Sequence, residues 1–312
     1  MSHTELHRRH GVLASRAALA SVATALFLLI LKSYAAWATA SVAMLASLAD
    51  TGLDLFAALV TLFGVRFAAA PPDEDHRFGH GKAEALAALF QTMLITVAAA
   101  AIGWRGIAAI GQQSAPQQPA YGIGVSIVAI IVTFALLAFQ RWTIAQTKSV
   151  AIRADHVHYQ SDLLLNLAVI AALVFDSLLG LRGADPLFGI AIALWLIWNA
   201  WRAANEAIDQ LMDKEWPDEK REDFLKVAAQ HPELINLHDL RTRTSGARDF
   251  VQFHVALDPD MSVREAHDIV EEVETKLEKT FPGVEILIHV DPEGQIDEPG
   301  NPLAEADEIA KL

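Results

Sequence analysis

The 312-residue chain contains no cysteine. That absence excludes disulfides and thiolate metal ligands, so any bound metal must be held by His, Asp or Glu. Positive charge is also scarce: 24 Lys and Arg face 38 Asp and Glu, giving a net charge of −14. Such a balance argues against a nucleic-acid partner and suits the handling of cations. The polar start, Met1 to His10, is not followed by a small-residue cleavage pattern, so no removable leader is expected. Charge is missing altogether from two long runs, Ala17–Leu31 and Ile123–Phe139. A water-soluble helix of that length would show a polar face.

What is abundant is apolar residues, 53% of the chain. They fill the chain up to about Met212, and from Asp213 onward charged and apolar residues alternate as in an ordinary soluble domain. A membrane helix needs roughly 20 apolar residues. Six stretches qualify, near 13–37, 41–64, 83–109, 120–142, 151–176 and 185–211. The expected organisation is a cytosolic N-terminal tail (1–12), a six-helix transmembrane domain (13–212), a cytosolic domain (213–292) and an acidic, disordered tail (293–312). Basic residues set the orientation. Arg8, Arg9, Arg16, Arg66, Arg77, Lys82, Arg141, Lys148 and Arg153 fall on one side, against Lys32, Arg105 and Arg182 on the other. The positive-inside rule then places both termini in the cytosol. Lys32, near the outer end of the first span, is expected to snorkel.

Ionisable residues inside a span are costly and mark transport paths. The second span carries Asp50 and Asp54, and the fifth carries His158 and Asp162. Both pairs have i,i+4 spacing, which puts the two side chains on one helix face. Brought together, the faces offer three carboxylates and one imidazole. That set suits tetrahedral Zn²⁺ and tolerates Cd²⁺, Fe²⁺ or Co²⁺. The loop after the second span adds Asp73, His76 and His80, which could form a three-ligand group.

The last hundred residues read helix–strand–strand–helix–strand, a small metallochaperone-like α+β domain (αββαβ). The helix from Pro217 to Gln230 is followed by strands over Leu234–Thr244 and Phe250–Asp258. Ser262-Val263-Arg264-Glu265 is a capping box that opens a helix to about Thr280. A final strand spans Val284–Asp291. Alternation places Val251, Phe253, Val255 and Leu257 on one face and His254 on the other, while His289 and Asp291 share a face. His238, His254, His267, His289 and Asp291 are therefore candidate ligands for one or two metals.

Asp-x3-Asp and His-x3-Asp, with Phe78-Gly79-His80-Gly81-Lys82-Ala83-Glu84 and Arg153-Ala154-Asp155, resemble the cation diffusion facilitator family. The likeness runs from about Leu13 to Pro292 and is closest to its bacterial YiiP/FieF-type zinc exporters. The resemblance implies a Y-shaped homodimer in the cell inner (plasma) membrane and exchange of metal for protons. It also implies a metal at the loop group, a binuclear regulatory site in the cytosolic domain, and a dimer ion pair between Lys82 and Asp213. Neither a His-Glu-x-x-His motif nor the many helix-end histidines of a membrane di-iron enzyme is present, so no enzyme is expected. An exporter of the same family selective for Fe²⁺ or Cd²⁺, or a membrane metal sensor that does not transport, remains as an alternative.

Overall fold

The computed structural model describes residues 3–39, 42–110, 120–179, 184–232, 234–294 and 309. It divides into two compact units: His10–Ile208, and Asp209–Leu312 with Met1–Arg9. The acidic tail expected from residue 293 lies almost wholly outside the described residues.

The first unit is built from six long helices: α1 (His3–Thr39), α2 (Val42–Ala68), α3 (Ala83–Ala109), α4 (Ala120–Thr147), α5 (Val150–Leu179) and α6 (Ala184–Leu211). α1 starts at His3, so the polar segment expected as a tail forms its first turns. Among the described residues, five stretches, in α1, α2, α3, α4 and α6, are long and apolar enough to cross a bilayer. α5, 30 residues long, carries Arg153, Asp155 and Asp162 in its first half. Many large apolar side chains point outward along these helices, among them Ile30, Trp37, Phe63, Trp104, Phe134 and Trp198. Water would not tolerate so much exposed apolar surface, whereas lipid would.

Small residues let the helices approach. Ala14, Ala17 and Ala18 of α1 meet Leu62 and Val65 of α2, Ala87 of α3, and Ala151 and Ile152 of α5 in one buried cluster. A Cβ on Gly64 would lie 2.4 Å from the Cβ of Ala87, and one on Gly106 would lie 2.9 Å from Ile190 Cγ1 of α6. A second cluster joins Ile95 and Ala99 of α3 to Val157 of α5 and to Leu196 and Ala200 of α6. α5 thus packs on α2, α3 and α4. The α4–α5 link is only Lys148 and Ser149, with Lys148 in the left-handed region (φ 53°).

The second unit contains α7 (Asp218–Ala228), β1 (Ile235–Ser245), β2 (Arg248–Leu257), α8 (Val263–Thr280) and β3 (Val284–Pro292). The sheet order is β1-β2-β3, with β1 antiparallel and β3 parallel to the central β2. Both helices contribute to one core: Phe224, Leu225, Val273 and Leu277 pack with Leu237, Leu240, Val251, Phe253, Val255, Ile286 and Ile288. α8 begins at the expected capping box, Ser262 with Glu265. The β1–β2 pairing shifts register between Ile235 and His238 and again between His238 and Arg241. Asn236 (φ 51°) and Asp239 (φ 50°) sit in those shifts in the left-handed region, where side chains are rarely found.

Gly64→Val should force α2 away from α3, because Ala87 Cβ has no rotamer by which to yield. Overpacking of this kind costs about 1–3 kcal/mol. The melting temperature of the detergent-purified chain should fall for Gly64→Val and hold for Gly124→Ala, where an added Cβ meets nothing within 4 Å. Equal melting of the two variants would contradict the close approach.

Candidate metal-binding sites

Among the described residues, three groups bring potential ligand atoms within 4.8 Å of one another: Asp54–His158–Asp162, Asp73–His76–His80 and His238–His254–Asp291.

The first group lies between α2 and α5. His158 Nε2 is 3.1 Å from Asp54 Oδ1 and 4.0 Å from Asp162 Oδ2. One ring nitrogen therefore faces two carboxylates from two helices, and the three can share a proton or hold a cation. All three side chains are partly buried. Asp50, one turn earlier on α2, is exposed and stands outside this group. Lys32 Nζ donates to Thr51 Oγ1 of α2 at 2.6 Å.

Buried polar contacts fix the position of α5. Asp155 accepts from Ser21 Oγ of α1 (2.6 Å) and from Gln140 Nε2 of α4 (2.8 Å). Tyr159 donates to the Ser21 carbonyl at 3.0 Å, and His156 Nδ1 lies 3.1 Å from Gln140 Oε1. At the start of the helix, Ser149 Oγ donates to Glu84 Oε2 of α3 at 2.6 Å. Arg153 pairs with Glu206 of α6. These groups hold one helix against four others with His158 and Asp162 turned toward α2.

The second group is on the α2–α3 loop. Asp73 Oδ1 accepts from the backbone amides of Asp75 (3.1 Å) and His76 (2.6 Å). The same oxygen is 3.1 Å from His76 Nδ1, and Asp73 Oδ2 is 3.1 Å from His80 Nε2. The His76 backbone amide is the main reason that the Asp73 carboxyl sits below the ordinary range. His80 is buried, its ring 4.6 Å from that of Phe67 and 4.5 Å from that of His76.

The third group lies on the face of the sheet away from the core. Strand register puts His238 beside His254 and His254 beside His289, so three histidines run across three strands. Asp291 Oδ2 is 2.9 Å from His254 Nδ1 and 3.5 Å from His238 Nε2. His238 Nδ1 is 2.8 Å from the Asn236 carbonyl. A carbonyl only accepts, so Nδ1 carries the proton and a neutral ring turns its bare Nε2 toward a carboxylate. In that state the two acceptors can hold a cation, whereas a doubly protonated ring pairs with the carboxylate directly. His289 is close, with its ring 4.5 Å from that of His254 and its Nε2 3.4 Å from Asp291 Oδ1. His267 is not brought there: it is exposed on α8, 3.9 Å from Glu271 of the same helix.

One neighbour was not legible beforehand. Asp239 Oδ2 lies 3.8 Å from His254 Nε2. Strict alternation would put Asp239 and His238 on opposite faces, and no sequence signal announces the bulges that turn both toward β2. Of the expected dimer pair, Lys82 immediately precedes α3 and Asp213 follows α6, with Asp213 Oδ1 3.6 Å from Arg243 Nη1.

The chain matches the family model for the cation efflux transmembrane domain over residues 18–212 and that for the cation efflux protein cytoplasmic domain over 216–293. It is 45% identical over 276 residues to the cation-efflux pump FieF of Yersinia pestis (strain Pestoides F), covering 88% of this chain and 92% of that one. Identity and coverage are the same for FieF of Yersinia pseudotuberculosis serotype O:3 (strain YPIII), at 45%, 88% and 92%. Among solved structures, the metal-bound C-terminal domain of the CzcD transporter from Thermotoga maritima is 26% identical, with a TM-score of 0.25, over 26% of this chain and 100% of that one.

A carboxylate with a depressed pKa contributes fully above its ordinary value and loses that contribution as pH falls through the depressed one. Asp73 should therefore order its turn at neutral pH and release it only in strong acid. Asp73→Ala should speed amide exchange at Asp75 and His76, read by hydrogen–deuterium exchange across residues 73–80. Unchanged exchange would show that the carboxylate does not organise the loop.

Proposed function

Because the chain belongs to the cation efflux family of metal transporters, we propose that it exports a divalent transition metal, zinc first, in exchange for protons. The observation that carries this reading is the convergence of Asp54, His158 and Asp162 between two apolar helices. Zinc takes mixed nitrogen and oxygen ligands in tetrahedral sites, and the imidazole disfavours harder ions such as Mn²⁺. Asp50 supplies the fourth ligand once α2 turns by a fraction of a helical turn around the ion. Deprotonated carboxylates and neutral His158 load metal from the cytosol, and protons arriving from outside replace it. Alternating access moves α2 and α5 relative to the remaining helices.

In this reading residues 13–212 form the transport domain and 213–292 the cytosolic domain. Residues 1–12 lie on the cytosolic side, as does the tail 293–312. The working unit is a homodimer in the inner membrane, held in part by Lys82 and Asp213. Asp73, His76 and His80 form a peripheral loop site. His238, His254, His289 and Asp291 hold regulatory zinc, and His267 joins them only if α8 or a second protomer approaches. Fe²⁺ and Cd²⁺ compete at the same ligands, since affinity order alone does not set cellular selectivity.

Two outcomes test this. Asp54→Ala or Asp162→Ala, reconstituted in vesicles with a pH gradient, should lower zinc flux to that of protein-free vesicles while the protein remains folded. Near-normal flux would remove these residues from the path, and metal binding without flux in the parent chain would favour a sensor. In a chain carrying Asp54→Ala and Asp162→Ala, free zinc at a hundred times Kd should stabilise the cytosolic domain by about 2.7 kcal/mol. His254→Ala with His289→Ala should abolish that gain; an identical gain in the double variant would place the zinc elsewhere.

A further inference from the structure

We infer that Asp239 is a positioning residue for the sheet metal site: when metal binds, its carboxylate accepts a hydrogen bond from His254 Nε2–H and so presents Nδ1 to the metal. The inference rests on the proposal that the sheet histidines hold a metal.

The argument begins with which nitrogen faces the site. Asp291 Oδ2 is approached by His254 Nδ1 at 2.9 Å and by His238 Nε2 at 3.5 Å. A metal at that point takes the Nδ1 lone pair of His254, and the neutral ring must then carry its proton on Nε2. Nε2 looks at Asp239 Oδ2, 3.8 Å away and about an ångström beyond a hydrogen bond. The partners of a ligating histidine are commonly a carboxylate or a backbone carbonyl on its second nitrogen. His238 already has the carbonyl kind, from Asn236 at 2.8 Å. Asp239 supplies the carboxylate kind to His254.

Asp239 is itself held in place. Arg241 Nη2 donates to Asp239 Oδ2 at 2.7 Å, and Arg241 Nε donates to Oδ1 at 3.3 Å. A carboxylate has lone pairs left for a third donor. Its side chain is only 13% exposed, whereas that of Arg241 is 61% exposed. The backbone conforms to the same end. The left-handed non-glycine residues of β1 are Asn236 and Asp239, and they are the two that face the second nitrogens of His238 and His254. Regular alternation would send Asp239 to the core face, out of reach of His254. Strain of this sort persists where the surroundings over-determine it.

The test uses the full chain in detergent with Co²⁺ as probe, in a background of Asp54→Ala, Asp162→Ala and Asp73→Ala that disables the other two groups. Visible absorption of bound Co²⁺ reports both affinity and ligand set. Asp239→Gly removes the carboxylate and accepts a positive φ without strain, so the metal-free chain should melt no lower. Its Co²⁺ Kd should rise roughly 10–100-fold, the usual effect of losing such a partner. Asp239→Asn, a neutral acceptor that also tolerates the left-handed region, should fall between Gly and parent. In both variants the absorption maxima should stay put, because the ligands are unchanged. Parent affinity in both variants would overturn the inference. So would a shift of the maxima, which would make Asp239 a ligand itself. If the background chain gives no Co²⁺ band that depends on His254, the sheet-site reading fails and takes the inference with it.

Discussion

Burying an ionisable group in apolar surroundings is tolerable only when a partner of matching character is held beside it. This constraint organises the helical unit around α5. That helix carries Asp155, His158 and Asp162, and each is answered from a different helix or from the same turn. Asp155 takes Ser21 and Gln140 as donors, whereas His158 is set between carboxylates from α2 and α5. The first arrangement joins α1, α4 and α5 through Asp155 Oδ2. The second sets one imidazole against two carboxylates, the group on which the proposed transport site rests.

The sheet unit poses a different problem, because its cluster of histidines and Asp291 faces outward and desolvation is not the main cost. There the difficulty is orientation. Histidine offers two nitrogens, and a site built on three strands must choose one on each. The register brings the rings together, and the irregular stretch of β1 brings the groups that choose.

Much of this was readable from residue order. Six apolar stretches separated by basic or polar links predict the helices, since their uncharged runs exclude any water-facing alternative. The i,i+4 pairs on α2 and α5 predict the shared face, because helical periodicity leaves no other geometry. The capping box at Ser262 and the alternation of Val251, Phe253 and Val255 predict α8 and β2. What escaped was set by non-local packing or by backbone irregularity. Residue order does not tell that Asp50 stands one turn before the Asp54–His158–Asp162 group or that His267 is exposed on α8 beside Glu271. Asp239 was hidden because a bulge reverses the face that alternation assigns. The extension of α1 to His3 is not signalled by hydropathy, which marks only the membrane span.

The two-residue joint between α4 and α5 has a consequence for how the chain can vary in length. Lys148 makes the reversal, and Ser149 caps α5 through the Ile152 amide while also binding Glu84. The angular phase of α5 is thereby set at its first residue. Each residue of an α-helix turns the chain by about 100°. A single insertion after Ser149 would therefore swing His158 and Asp162 off the face they share with α2, and Asp155 off Ser21, in one step. Compensation would require a whole number of turns, so insertions and deletions in this family should be purged at this joint far more strictly than composition alone would suggest.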